Sequence, residues 1–200
     1  MPDRDVLTIK DLIFYQYAKI IARRAFSVPD GVVVKGKHYG FIKQKFRELK
    51  NGAISWSEIT REDWQLVESS KECIYCGNRN ERDLSREHIV PRSLNIKPEC
   101  KSCDVIQGIH NQIWACRHCN SQKSSKGLYE FFAEKYPNTR KYYDFIPTLL
   151  EKKYLKTIYK CHCCAQTIDK VDINNDGVIS VLDIDFIIRI SCQDETKIPR

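Results

Sequence analysis

The decisive stretch is Ser85-Arg86-Glu87-His88-Ile89-Val90-Pro91-Arg92-Ser93, answered further on by His110-Asn111-Gln112-Ile113-Trp114-Ala115-Cys116-Arg117-His118-Cys119-Asn120-Ser121-Gln122-Lys123. Both segments carry hydrophobic patterning suited to the arms of a hairpin, and the second runs through a Cys-x-x-Cys knuckle into a helix. Each arm thus delivers polar groups to one place. An acidic residue and a tightly placed asparagine can hold one hard divalent cation through oxygen, while a neighbouring histidine stays free to take a proton from water. No packing role demands that trio.

The ten cysteines extend the pattern outward. Cys73-x-x-Cys76, Cys100-x-x-Cys103, Cys116-x-x-Cys119 and Cys161-x-x-Cys164 each supply half of a tetrahedral zinc site. The chain opens Met-Pro-Asp-Arg-Asp, without the basic start of a secretory signal, so we expect a cytoplasmic protein whose thiols serve metal rather than disulfides. Cys163 and Cys192 are left over and read as small apolar fillers. Thirty-nine residues separate Cys76 from Cys116, longer than most zinc-ribbon spacings. If Cys73, Cys76, Cys116 and Cys119 share one zinc, the starts of the His88 strand and the Asn120 helix are clamped together, as a preformed site needs. Matching spacing alone suggests that Cys100, Cys103, Cys161 and Cys164 form a second zinc site.

Taken together, Cys-Ile-Tyr-Cys-Gly, Ser-Arg-Glu-His-Ile-Val-Pro-Arg-Ser and Asn-Gln-Ile-Trp-Ala-Cys-Arg-His-Cys-Asn-Ser-Gln-Lys resemble an HNH endonuclease of the zinc-bearing ββα-metal type, over residues 71–136. The resemblance implies that His88 is the general base, that Asn111 shapes the loop holding it, and that Asn120 is the third signature residue. It also implies that Glu87 and Asn120 ligate the nuclease metal. Asn120 stands where a histidine is usual, and Glu87 where aspartate is common. Both keep oxygen donors, so magnesium or manganese is the expected cation rather than zinc on a histidine pair. A larger departure is the insertion 95–109, which carries its own knuckle and could alter substrate approach.

Around this centre the expected class is α+β: a 1–70 N-terminal helical region, the 71–136 ββα module, and 137–200 with a linker helix, a knuckle and a metal-loop-like segment. Thr8 and Asp11 mark a helix start, with Ile13, Tyr17, Ile20 and Ile21 on one face before the stop at Pro29-Asp30-Gly31. Val32-Val33-Val34 reads equally as a strand or a connector. Ile42, Phe46 and Leu49 repeat the helical period up to Asn51-Gly52, and Thr60 and Asp63 cap a short helix carrying Trp64 and Val67. Leu128, Tyr129, Phe131, Phe132 and Tyr136 continue the helix after the second knuckle with a face that reads as core. Asp172, Asn174, Asp176 and Asp183 around Gly177 resemble an EF-hand or dockerin calcium loop, although an Asn-Asp-Gly hairpin explains much of the same pattern.

Composition sets the outer bounds. At 42% hydrophobic and 30% charged, with no apolar run near the ~18 to 20 residues of a membrane span, the chain reads as globular and soluble. Its net charge of +7 is uneven: residues 1–168 hold 29 basic and 19 acidic side chains, leaving an acidic tail. A basic body suits a polyphosphate partner such as DNA, though solubility alone accounts for many such surpluses. Arg92, Arg117, Lys123 and Lys126 are the expected phosphate contacts. Six Lys and Arg from Lys35 to Lys50 face the single acid Glu48, which reads as a solvated helix face, with phosphate contact as the sharper alternative. The functional expectation is metal-assisted hydrolysis of a phosphodiester. The alternative is a zinc-stabilised nucleic-acid-binding module without chemistry. Oligomeric state is left open.

Overall fold

The computed structural model describes residues 4–32, 36–55, 71–94, 104–139 and 141–193, with side chains through Arg189. Its regular elements are α1 (Ile9–Ala25), α2 (Tyr39–Lys50), β1 (Leu84–His88), α3 (Asp104–Gln107), β2 (Gln112–Cys116), α4 (Arg117–Lys123), α5 (Leu128–Lys135), α6 (Thr148–Cys164) and α7 (Val181–Gln193). The class is α+β, largely helical with one two-stranded sheet. The expected helix around Thr60 to Val67, residues Val33 and Val34, and the 95–103 part of the insertion with Cys100 and Cys103 lie outside the described residues.

α1 is the axis of the fold. The Thr8 hydroxyl accepts from the Asp11 N–H at 3.2 Å, and the Asp11 carboxylate accepts from the Leu7 N–H at 3.1 Å, so the expected start is capped from both sides. The Ile9 and Lys10 N–H groups donate to the Lys170 and Ile168 carbonyls, both at 2.9 Å, so the turn after α6 satisfies donors the helix leaves open. Ile13, Tyr17 and Ile20 are buried to 1% exposure or less. Burial continues round the helix to Ile9, Leu12 and Ala18, because α2, α6 and α7 all pack on it. The chain's first and last segments thereby share one core.

α2 buries Ile42, Phe46 and Leu49 as its period requires. Its cations find acids: Lys43 meets Asp5 at 3.2 Å, Lys45 meets Glu48 at 2.7 Å, and Lys50 meets Asp11 at 2.9 Å. The solvated, ion-paired face is therefore the description that fits this helix.

The expected continuous helix after the second knuckle is two helices. Ser124, at φ 48°, breaks the chain after α4, and α5 starts anew behind Gly127. The start of α5 is capped from a distance, the Asp185 carboxylate of α7 accepting from the Glu130 N–H at 2.7 Å. Leu128, Tyr129, Phe131 and Phe132 are core, each such side chain contributing ~1.5 to 3 kcal/mol on burial. Buried polar groups tie the helices: Arg23 pairs with Asp144 at 2.7 Å, Tyr129 donates to Glu151 at 2.8 Å, and Tyr154 donates to Asp185.

Residues 172–180 form a loop leading into α7, whose first turn carries Asp183, and no strand flanks it among the described residues. Its side chains serve its own backbone: Asp172 accepts from Asp176 and Gly177, and Asp183 accepts from Ser180 and Asn174. The hairpin alternative is thus not the structure of these residues, whereas the loop followed by a helix is.

Candidate functional site

The site begins with the knuckle at Cys73. The Cys73 carbonyl accepts from the Gly77 N–H at 2.7 Å, and Gly77 closes the turn at φ 74°, a left-handed conformation that favours glycine. The Ile74 N–H donates to the Trp114 carbonyl at 3.0 Å, fastening the knuckle to β2. Tyr75, between the cysteines, turns its ring edge-on to Phe131 with centroids 5.1 Å apart, which seats the knuckle on α5. Cys116 ends β2 and caps α4, its sulfur accepting from the Cys119 N–H.

These turns bring the Cys73, Cys76, Cys116 and Cys119 sulfurs within 4.8 Å of one another. Cys76 and Cys116 are 3.7 Å apart, and a tetrahedral zinc with Zn–S bonds of ~2.3 Å requires ~3.8 Å between sulfurs. The four thiols therefore fit a zinc ion in number, softness and spacing. Burial pushes the Cys73 and Cys119 thiols up, so their proton loss needs a cation to compensate it. Among the described residues this is the one convergent group of three or more His, Cys, Asp and Glu.

The quartet closes one end of the sheet. β1 and β2 pair antiparallel with Leu84 opposite Cys116 and His88 opposite Gln112, and α4 leaves β2 to pack on both strands. At the far end, the paired ladder stops at His88, and Asn111 takes over. Its amide accepts from the Val90 N–H at 2.8 Å and donates to the Val90 and Ile106 carbonyls at 2.9 and 2.8 Å. The Asn111 carbonyl accepts from the Ile89 N–H at 2.8 Å. One fully buried side chain thus fixes the backbone that leaves His88.

Glu87 and His88 carry the unsatisfied atoms of the site. Glu87 is buried, and its Oε1 lies 3.1 Å from the Lys123 ammonium and 3.5 Å from the Tyr75 hydroxyl. Its Oε2 and the His88 Nε2 are both buried with no hydrogen-bond partner. Burial pushes the Glu87 carboxyl up against the pull of Lys123. Burial, then the charges of Arg92 and Lys123, hold His88 below its usual range, so its ring is neutral at neutral pH. Asn120 is half-buried on α4, the helix that carries Lys123 against β1. A buried carboxylate oxygen without a donor, with an amide on the neighbouring helix, suits a hard cation.

The expected phosphate contacts divide. Arg92 and Arg117 are exposed, Arg92 close enough to His88 to act on its charge. Lys123 has 0% exposure: it pairs with Glu87 and donates to the His88 carbonyl at 3.3 Å, so it is an internal cation and not a surface contact. Lys126 pairs with Glu134 at 2.6 Å. Both acids are remote in sequence or a helix away, which is why the basic run looks unpaired in the sequence. His118 is exposed, as expected for a knuckle residue.

The last cysteine pair differs from the expected knuckle. Cys161 and Cys164 occupy the final turn of α6, where a spacing of three puts both on one helical side, Cys161 buried and Cys164 half-buried. Cys163 is exposed and is not an apolar filler. Neighbouring His162 is fully buried between the Thr167 hydroxyl and the Ile184 carbonyl, a structural role the sequence does not signal.

Compared with protein-family models, curated proteins and solved structures, the chain matches none. No described helix is long and apolar enough to cross a membrane.

Proposed function

We propose that this protein is a metal-dependent endonuclease of the HNH kind that hydrolyses phosphodiester bonds in DNA. One coincidence carries the reading: the His88 Nε2 and Glu87 Oε2, adjacent on β1, are buried and unpartnered at the sheet end opposite the cysteine quartet. Unpaired buried polar atoms cost ~1 to 3 kcal/mol each, and a water and a cation are the partners that relieve both. His88 takes the proton of an attacking water, its neutral ring being the accepting form. Asn111 fixes the backbone behind it, so the imidazole is held without being a ligand. Glu87 and Asn120 are the residues that would hold magnesium or manganese, which supplies charge neutralisation on the phosphoryl and leaving oxygens. The cysteine quartet holds structural zinc in this reading, and Cys100, Cys103, Cys161 and Cys164 would hold a second. A calcium ion on Asp172, Asn174, Asp176 and Asp183 would be structural.

The experiment is nicking of supercoiled plasmid with magnesium or manganese by the native protein and by His88→Ala. General-base loss should cost ~10²- to 10⁴-fold in rate, with fold, zinc content and DNA affinity retained. A variant keeping more than about a tenth of the native rate would sink the assignment, since that loss lies far below the expected range.

A second reading is favoured by a specific contact. The Lys123 ammonium already supplies Glu87 with a positive charge, as it would in a zinc-stapled DNA-binding module without chemistry. A native protein that binds DNA yet never nicks it with either cation would decide for that module.

A further inference from the structure

In the hairpin, Arg86 stands opposite Trp114 and His88 opposite Gln112. Side chains alternate along a strand, so these four residues share one face, with Arg86 and His88 ~6.6 Å apart along β1. Arg86 is exposed, and its guanidinium carbon lies 5.5 Å from the centre of the Trp114 ring. Its Nη1 donates to the Gln112 side-chain oxygen at 3.4 Å, and the Gln112 amide donates in turn to the Gln107 carbonyl at 3.0 Å. An aromatic ring and a tethered amide therefore hold the guanidinium while using one of its N–H donors. No acid pairs with Arg86 among the described residues, and no carboxylate stands on this face of either strand.

We propose that Arg86, held against Trp114, is a phosphate clamp that seats a DNA strand beside the bond at which His88 acts. The donors that remain on the planar fork match two oxygens of one phosphate, a bidentate contact that a lysine, as a point charge, does not make. Stacking also restricts the side chain before DNA arrives, so less affinity is lost to ordering it. Arg92 is exposed as well and near enough to His88 for its charge to act on the ring. Two exposed arginines thus stand near the histidine on a hairpin face without acids, and a polyphosphate strand is the occupant that this charge fits. The assignment rests on DNA as the substrate of the site above, but not on cleavage.

The test is binding of a fluorescein-labelled DNA duplex by the full-length, zinc-loaded protein, without magnesium or manganese, across a range of salt concentrations. Arg86→Ala should weaken binding roughly tenfold or more and lower the slope of log affinity against log salt by ~0.9, the share of one phosphate. Arg86→Lys should keep the slope but recover only part of the affinity, since it retains the charge and loses the fork. Trp114→Leu should weaken binding in the native background and add nothing to Arg86→Ala, whereas additive effects would overturn the claim that the ring holds the fork. Native affinity and slope in Arg86→Ala, at an unchanged thermal midpoint, would overturn the clamp even if the native protein nicks plasmid. Weakened binding with the lower slope would support it even if nicking is never seen. A native protein with no affinity for the duplex would overturn the clamp together with DNA as the substrate. Inorganic phosphate at matched ionic strength should not displace the duplex, and a displacement that Arg86→Ala abolishes would mean a free-anion site and overturn the proposal.

Discussion

Lys123 and Glu87, thirty-six positions apart in sequence, form a buried ion pair at 3.1 Å beside His88, with the lysine at 0% exposure. Burial pushes the carboxyl up and the ammonium down, and each partner only partly offsets the other's shift. Removing one partner of such a pair leaves an uncompensated buried charge and costs ~3 to 5 kcal/mol, whereas replacing both is often neutral. Lys123→Met should therefore be strongly destabilising, and Lys123→Met/Glu87→Gln should recover most of the loss in urea unfolding. Additive single effects would mean that the two charges are not coupled.

The cysteine quartet makes a prediction in metal content. Cys116→Ser removes a thiolate that also caps α4, and structural zinc is worth ~10 kcal/mol or more in small zinc modules. The variant should lose that zinc, and its thermal midpoint should fall by roughly 10 °C or more. Native protein with two zincs per chain would support the second site at Cys161 and Cys164, and one zinc would remove it. A Cys116→Ser protein that keeps both its zinc and its midpoint would refute the quartet.

What the sequence discloses follows from the range of the forces involved. The Thr8 cap, the Gly77 turn, the burial of Ile42, Phe46 and Leu49, and the hairpin leading into α4 are short-range consequences of propensity and period. The convergence of Cys73 with Cys116 is legible because paired knuckles must share a metal to be useful. Lys123 is not, because its partner lies far back in the chain on β1, and a lysine at a helix end looks the same whether it faces solvent or a buried carboxylate. The break at Ser124 is hidden for a related reason: the helix that starts anew behind it is capped by the Asp185 carboxylate, from the far end of the chain.

That cap makes Gly127 a test of packing. Its φ of −66° suits any residue, so alanine would be tolerated by the backbone and would ordinarily stabilise by ~0.4 to 1 kcal/mol. Here a methyl group would run into the Asp185 carboxylate. Gly127→Ala should instead destabilise by ~1 to 3 kcal/mol through overpacking and a displaced cap. Urea unfolding checks the sign, and a stabilised variant would show that α5 is not capped by Asp185.

The last prediction concerns Glu151, buried on α6 with the Tyr129 hydroxyl donating to it at 2.8 Å. Burial pushes its carboxyl up to about 7, against the Tyr129 hydrogen bond and the charges of Lys19 and Arg23, with Asp144 adding to the rise. The folded state thus binds the proton more tightly than the unfolded chain does, where an ordinary glutamate titrates at ~4.3. The stability this group contributes is complete below that ordinary value and drains as pH rises through about 7. At ~1.4 kcal/mol per unit, the window holds up to ~3 to 4 kcal/mol. Glu151→Gln keeps the volume and a carbonyl acceptor for Tyr129 but cannot ionise. The stability of the native protein relative to Glu151→Gln, from urea midpoints, should fall steadily as pH rises from about 4.5 to 7.5, all other titrations cancelling. A flat difference would mean that Glu151 titrates at or below its ordinary value in the folded state, as it would if the carboxylate were ionised and paired with Lys19 and Arg23.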